Sequence, residues 1–137
     1  MGDELLRDYQ GQCHCGKVHF TFKAPADKLT VWKCNCSICH MRQNDHVVVP
    51  ESYFTLGVSS AEYLTEYTFN THTAKHLFCR VCGIASFYRP RSNPDGFGIT
   101  IHCVTDPPAM IETKEFDGQN WEGFIDRSGI REHSKVK

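Results

Sequence analysis

Seven of the eight cysteines in this 137-residue chain fall into three tight groups. They are Cys13-His14-Cys15-Gly16, Cys34-Asn35-Cys36-Ser37-Ile38-Cys39 and Cys79-Arg80-Val81-Cys82-Gly83. Sulfurs spaced C-x-C and C-x-x-C lie too close along the chain to pair well across a fold as disulfides. A short turn can, however, aim both at one soft tetrahedral ion such as zinc. The fold therefore has to bring distant cysteine groups together around metal. The question for function is how the groups share it, and whether the central triplet leaves a coordination position open.

The length fits one domain with a real core, small enough to benefit from a metal staple. No apolar run reaches the ~18 residues of a membrane span, and Met1 to Leu6 lack a basic region followed by an apolar segment. The expected location is the cytoplasm, with the nucleus as a second place; in that reducing setting close-set cysteines read as ligands. The formal charge is −1. Seven thiolates and two Zn²⁺ would take it to about −4, against the basic face a nucleic-acid binder needs.

Alternation of Val18, Phe20 and Phe22 with Lys17, His19 and Thr21 predicts a half-buried strand. Leu29 to Cys34 reads as a second strand that delivers the triplet at its end, followed by a helical turn within Ser37 to Asn44. Val47-Val48-Val49, Tyr53 to Leu56, Tyr63 to Phe69, Ala74 to Cys79, Ala85 to Tyr88 and Phe97 to Val104 continue the strand pattern. Ser59-Ser60-Ala61-Glu62 resembles a capping box for one helical turn, and Arg89 to Gly96 is dense in turn formers. Glu115 to Gly118 reads as a strand ending in a turn, and Asn120-Trp121-Glu122 as the start of a short helix. The expectation is an all-β, mainly antiparallel domain of short strands. It occupies residues 10–126, with a loose lead-in over 1–9 and a flexible tail over 127–137.

Both outer cysteine pairs end in glycine, Gly16 and Gly83. In a zinc knuckle, backbone N–H groups point back at sulfur and a residue of positive φ closes the turn, which glycine does without steric cost. The two glycine-closed pairs are alike, so Cys13, Cys15, Cys79 and Cys82 are assigned to one closed, structural zinc site. Cys34, Cys36 and Cys39 then hold a second zinc and need a fourth ligand. Water or substrate there makes a catalytic site; His40, His46, His72, His76, His102 or Cys103 would make it structural.

The order C-x-C-G, C-x-C-x-x-C and C-x-x-C-G resembles the glutathione-dependent formaldehyde-activating enzyme family, which also includes centromere protein V. The residues that carry this resemblance run from Gln12 to Val18, Cys34 to Cys39 and Phe78 to Gly83. The resemblance implies a β-tent fold with two zinc ions, structural at Cys13, Cys15, Cys79 and Cys82 and catalytic at Cys34, Cys36 and Cys39. It implies a carbon–sulfur lyase that adds glutathione to formaldehyde to give S-hydroxymethylglutathione. Its partners would then be a small thiol and an aldehyde. Arg42, His72, Arg91 and Asn93 are candidates for binding a polar or carboxylate-bearing substrate. The competing expectation is a non-enzymatic zinc module that binds a cytoskeletal or chromatin partner, as centromere protein V suggests. A third is a structural fold whose triplet is closed by Cys103 or a histidine.

Overall fold

The computed structural model describes residues 5–136, and its architecture follows from where apolar side chains alternate and where they do not. The strands, in chain order, begin with β1 (Leu6–Gln12), β2 (His19–Pro25) and β3 (Lys28–Cys34), after which comes the one-turn helix α1 (Ser37–Arg42). Next come β4 (Asp45–Pro50), β5 (Phe54–Leu56), β6 (Leu64–Tyr67), β7 (Lys75–Cys79), β8 (Phe87–Arg89) and β9 (Gly96–Thr100). The chain closes with β10 (Met110–Phe116) and helix α2 (Trp121–Ser128).

Two sheets form, one of three strands ordered β1-β2-β5 and one of seven ordered β10-β3-β4-β9-β8-β7-β6. Every pairing is antiparallel except that of β10 with β3, which is parallel. The fold is thus mainly antiparallel and mostly β, as the alternation predicts.

In β2 the even residues Phe20, Phe22 and Ala24 are buried, while His19, Thr21 and Lys23 are exposed. Tyr9 of β1 stacks on Phe22 at 5.3 Å. These rings meet Leu29, Val31, Val47, Val49, Phe87 and Ile99 of the larger sheet in the main core. Each such fully buried side chain contributes about 1.5–3 kcal/mol. A second core lies on the other face: Val48 joins Trp32, Phe116, Ile125 and Ile130 there. The unbroken Val47-Val48-Val49 run therefore reflects a strand covered on both faces.

Four expectations from sequence need correction. The lead-in is a strand from Leu6, fixed by full pairing of β1 with β2. The tail is not flexible over residues 127–134: α2 runs to Ser128, a 3₁₀ turn follows over Ile130–Ser134, and Ile130 and Ser134 are buried. The strand expected to reach Val104 stops at Thr100. The Thr100 hydroxyl bonds Asn44 and Ala85, and Ile101–Cys103 turn as 3₁₀. Ser60–Tyr63 do form a helical turn, but no side chain caps it; the Ser60 hydroxyl bonds the His19 backbone instead.

Candidate metal centres and their cavity

Cys13 and Cys15 lie in the turn after β1, Cys79 ends β7, and Cys82 lies in the turn after it. Their four sulfurs all lie within 4.8 Å of one another. The Cys13–Cys15 and Cys15–Cys79 sulfur distances are 3.6 Å. A tetrahedron with ~2.3 Å metal–sulfur bonds has edges of about 3.8 Å, so this donor set fits zinc.

Backbone N–H groups point at the sulfurs, Val18 at Cys13 (3.4 Å) and Val81 and Cys82 at Cys79 (3.4 and 3.5 Å). Gly16 and Gly83 both have φ of +81°, the conformation a knuckle requires. Their N–H groups bond the Cys13 and Cys79 carbonyls. Burial works to raise the Cys82 thiol, but backbone N–H groups of Cys15 and Ile84 outweigh it and bring it to about 6.

The triplet is local. Cys34 ends β3, Cys36 precedes α1 and Cys39 lies inside it, and their three sulfurs converge within 4.8 Å. Hydrogen bonds from Cys34 and then Cys39 hold the Cys36 thiol well below its usual value. Three soft donors in this spacing also fit zinc. Among the described residues the cluster contains neither a histidine nor Cys103.

The segment after β10 clamps this loop. Asn35 N–H bonds the Phe116 carbonyl, the Asn35 amide reaches Asp117, and Gln119 N–H donates to the Asn35 side chain. Gly118 lies so close that a Cβ there would stand 2.6 Å from Cys34 Sγ and 2.7 Å from Cys36 Cβ.

The triplet opens into a cavity of about 410 Å³, walled by Phe69, Tyr88, Phe116, Trp121 and Arg91, with His46 and His76 also lining it. His46 is fully occupied. Its Nδ1–H donates to the Asn44 carbonyl at 3.2 Å, which leaves Nε2 to accept from the Tyr88 hydroxyl at 3.1 Å. Burial lowers it to about 4, so the ring is neutral. His76 stacks on Tyr88 at 5.2 Å and is lowered by burial and then by Arg42.

The other candidates lie elsewhere. His40 is exposed, and exposed His72 bonds Thr68 through Nδ1. His102 stands 3.9 Å from Asp45. Cys103 lines a different cavity together with Arg42, and burial raises its thiol to about 11.

Of the four residues expected to bind substrate, Arg91 lines the triplet cavity; Arg42, His72 and Asn93 are not among its lining residues. The Arg91 guanidinium lies 3.7 Å from the Trp121 ring centroid and is paired with Glu122. Asn93 is wholly buried. Its amide donates to Ile130 O and Ser134 Oγ and accepts from Ser92, which ties the C-terminal turn to the loop after β8. Sequence reasoning missed Gly118 and Tyr88, because nothing local in either marks a site; both depend on pairings set by the sheet.

The fold and its two sulfur clusters define a small β protein with sites suited to two metal ions. A family model described as glutathione-dependent formaldehyde-activating enzyme matches residues 8–119, and the chain belongs to that family. It is also similar to a crystal structure of a Rhodobacter sphaeroides protein. That match has 32% identity and a TM-score of 0.62, covering 77% of this chain and 99% of the other.

Proposed function

We propose that this chain is a zinc-dependent enzyme of the carbon–sulfur lyase type that joins a thiol to an aldehyde. Glutathione and formaldehyde are the first pair to test, with S-hydroxymethylglutathione as product. The observation that carries the reading is the convergence of Cys34, Cys36 and Cys39 on one walled cavity, while Cys13, Cys15, Cys79 and Cys82 form a separate cluster. Three protein sulfurs leave a tetrahedral ion one position for substrate, as catalytic zinc sites do. Bound there, zinc would lower the pKa of an incoming thiol and polarise a carbonyl.

The reaction balances without an oxidant. The thiol loses its proton, its sulfur forms a bond to the aldehyde carbon, and the carbonyl π pair moves to oxygen, which takes a proton. Cys34, Cys36 and Cys39 would hold the metal. Phe69, Phe116 and Trp121 line the cavity with apolar surface that limits water around the reacting pair. Arg91, oriented by Trp121, offers a fork for a substrate carboxylate once Glu122 yields it.

The test is adduct formation from glutathione and formaldehyde, followed by NMR exchange with the zinc-loaded chain. Acceleration that disappears in Cys36→Ser, while the four-cysteine metal is retained, supports the reading. A fully loaded chain that leaves the spontaneous rate unchanged refutes it for this substrate pair.

A further inference from the structure

The strand β10 ends the larger sheet, with β3 on one side and no paired strand on the other among the described residues. Six of its seven residues are exposed, including Met110 (59%) and Ile111 (43%). The opposite edge, β6, is only four residues long. A long open edge is a row of unpaired N–H and C=O groups, and natural sheets usually blunt one with proline, bulges, a cover or charged side chains, of which β10 has Glu112, Lys114 and Glu115. The sequence Met110-Ile-Glu-Thr-Lys-Glu-Phe116 contains no proline.

The backbone direction is fixed by one bond: Phe116 O accepts from Asn35 N–H, so Phe116 faces the β3 side. In a strand, a residue's N–H and C=O point to the same side and alternate along the chain. Residues 110, 112, 114 and 116 therefore bond toward β3. Ile111, Thr113 and Glu115 present their backbone groups outward. A second copy pairing antiparallel across a two-fold axis must match odd residue to odd residue.

Charge then selects the register. Centred on Glu112, the pairing sets Glu112 against itself; centred on Lys114, it sets Lys114 against itself. Centred on Thr113, Glu112 of each copy faces Lys114 of the other, Met110 faces Phe116 and Ile111 faces Glu115, in both halves of the interface, so no like charges are opposed. Opposite charges directly across strands stabilise, and like charges destabilise. Glu112 already has Lys28 at 3.6 Å on its own chain, which leaves its second carboxylate oxygen for the new lysine.

We infer that β10 is a self-pairing edge through which two copies of this chain join their larger sheets into one, in the antiparallel register centred on Thr113. The contact is one strand wide, so the dimer is weak, with Kd on the order of 10 µM.

The experiment is sedimentation velocity on the zinc-loaded full chain over about 1–100 µM, reading the shift from the 15.7 kDa monomer to twice that mass. Thr113 N–H points outward, so Thr113→Pro leaves the β3 ladder intact and removes the central intermolecular bonds. It is expected to stay monomeric with unchanged circular dichroism. Glu112→Lys and Lys114→Glu each put like charges opposite one another twice and weaken association by about tenfold or more.

The two single variants are expected to pair with each other when mixed, since each supplies the charge the other needs. The doubly swapped chain is expected to dimerise as the parent does. A parent that is monomeric throughout overturns the inference, as does a dimer indifferent to Thr113→Pro. Should that variant fail to fold, the charge series decides: single variants that do not rescue one another when mixed overturn the register.

Discussion

Replacing Gly118 by alanine tests whether the triplet depends on the segment that follows β10. The Gly118 φ lies outside the left-handed region, so alanine adds no backbone strain; the whole effect is steric. Its Cβ would stand 2.6 Å from Cys34 Sγ, 2.7 Å from Cys36 Cβ and 3.1 Å from Cys36 N, where ordinary contact begins near 3.4 Å. The two segments must therefore separate by about 0.8 Å, and two of the three opposing atoms belong to Cys36. A metal site tolerates displacements of about 0.2 Å in its ligand distances. The expected result is a loss of about 10–100-fold in affinity for the second metal and about 100-fold in adduct formation. Fold stability should fall only by about 1–3 kcal/mol, as for other overpacked sites. Metal content by mass spectrometry after dialysis should drop from about two ions per chain toward one, the four-cysteine ion being retained. Gly123→Ala is the control, since the three atoms nearest its Cβ all belong to the Asn120 side chain and alanine favours helix α2. A Gly118→Ala chain that keeps both metals and the parent rate would refute the reasoning.

Three other outcomes are expected. Cys79→Ser, or chelation strong enough to strip the four-cysteine site, should lower Tm by more than about 10 °C, because structural zinc contributes folding free energy directly; an unchanged Tm in calorimetry would contradict this. Asn93→Ala removes three buried hydrogen bonds and should destabilise by about 3 kcal/mol in urea titration, with KM of the folded enzyme unchanged; a raised KM at unchanged stability would return Asn93 to the substrate site. Burial works to raise Asp95, but its bonds to Lys135 and Ser134 hold it below the usual carboxylate value. A depressed acid contributes stability above its unfolded value of ~3.9 that is lost as pH falls through the folded one, so amide exchange at Glu132 and Lys135 should accelerate below about pH 4. Asp95→Asn should show the same acceleration at neutral pH, and protection that ignores both changes would exclude the linkage.

What could be read from the sequence was local chemistry with a fixed period or spacing. The alternation of Phe20 and Phe22 marked a strand, and a glycine after each outer cysteine pair marked a positive φ that both residues adopt. What could not be read depends on partners distant in sequence. Nothing in Met110 to Phe116 shows that it runs parallel to β3, yet that pairing carries Phe116, Gly118 and Trp121 to the triplet. Arg91 and Asn93 sit two residues apart in one polar loop and look equivalent as letters. One lines the cavity and the other holds the C-terminal turn, because burial of Ile130 and Ser134 draws Asn93 inward. The three valines of β4 gave burial but not its reason, a separate core on each face.

The division between the two clusters follows from sequence separation. Cys15 and Cys79 meet across 64 residues, joining the three-stranded sheet to the far half of the larger one. Closing a loop of that length costs an unfolded chain about 4 kcal/mol in entropy, on the scale used for cross-links. A metal that holds it closed acts on the whole fold, and an open coordination position there would put stability at the mercy of each exchanging ligand. Cys34, Cys36 and Cys39 span six residues, a closure of about 2 kcal/mol on the same scale. Their geometry is already set by the end of β3, the first turn of α1 and the clamp from Asn35 to Gln119. On the proposed reading an ion held there would be free to stay incompletely ligated, since the fold would not depend on it. The same logic predicts the order of metal loss: a chelator titration should remove the triplet ion first, with little change in circular dichroism, and the four-cysteine ion only together with unfolding. Release of both ions in a single step would mean that the triplet also carries the fold.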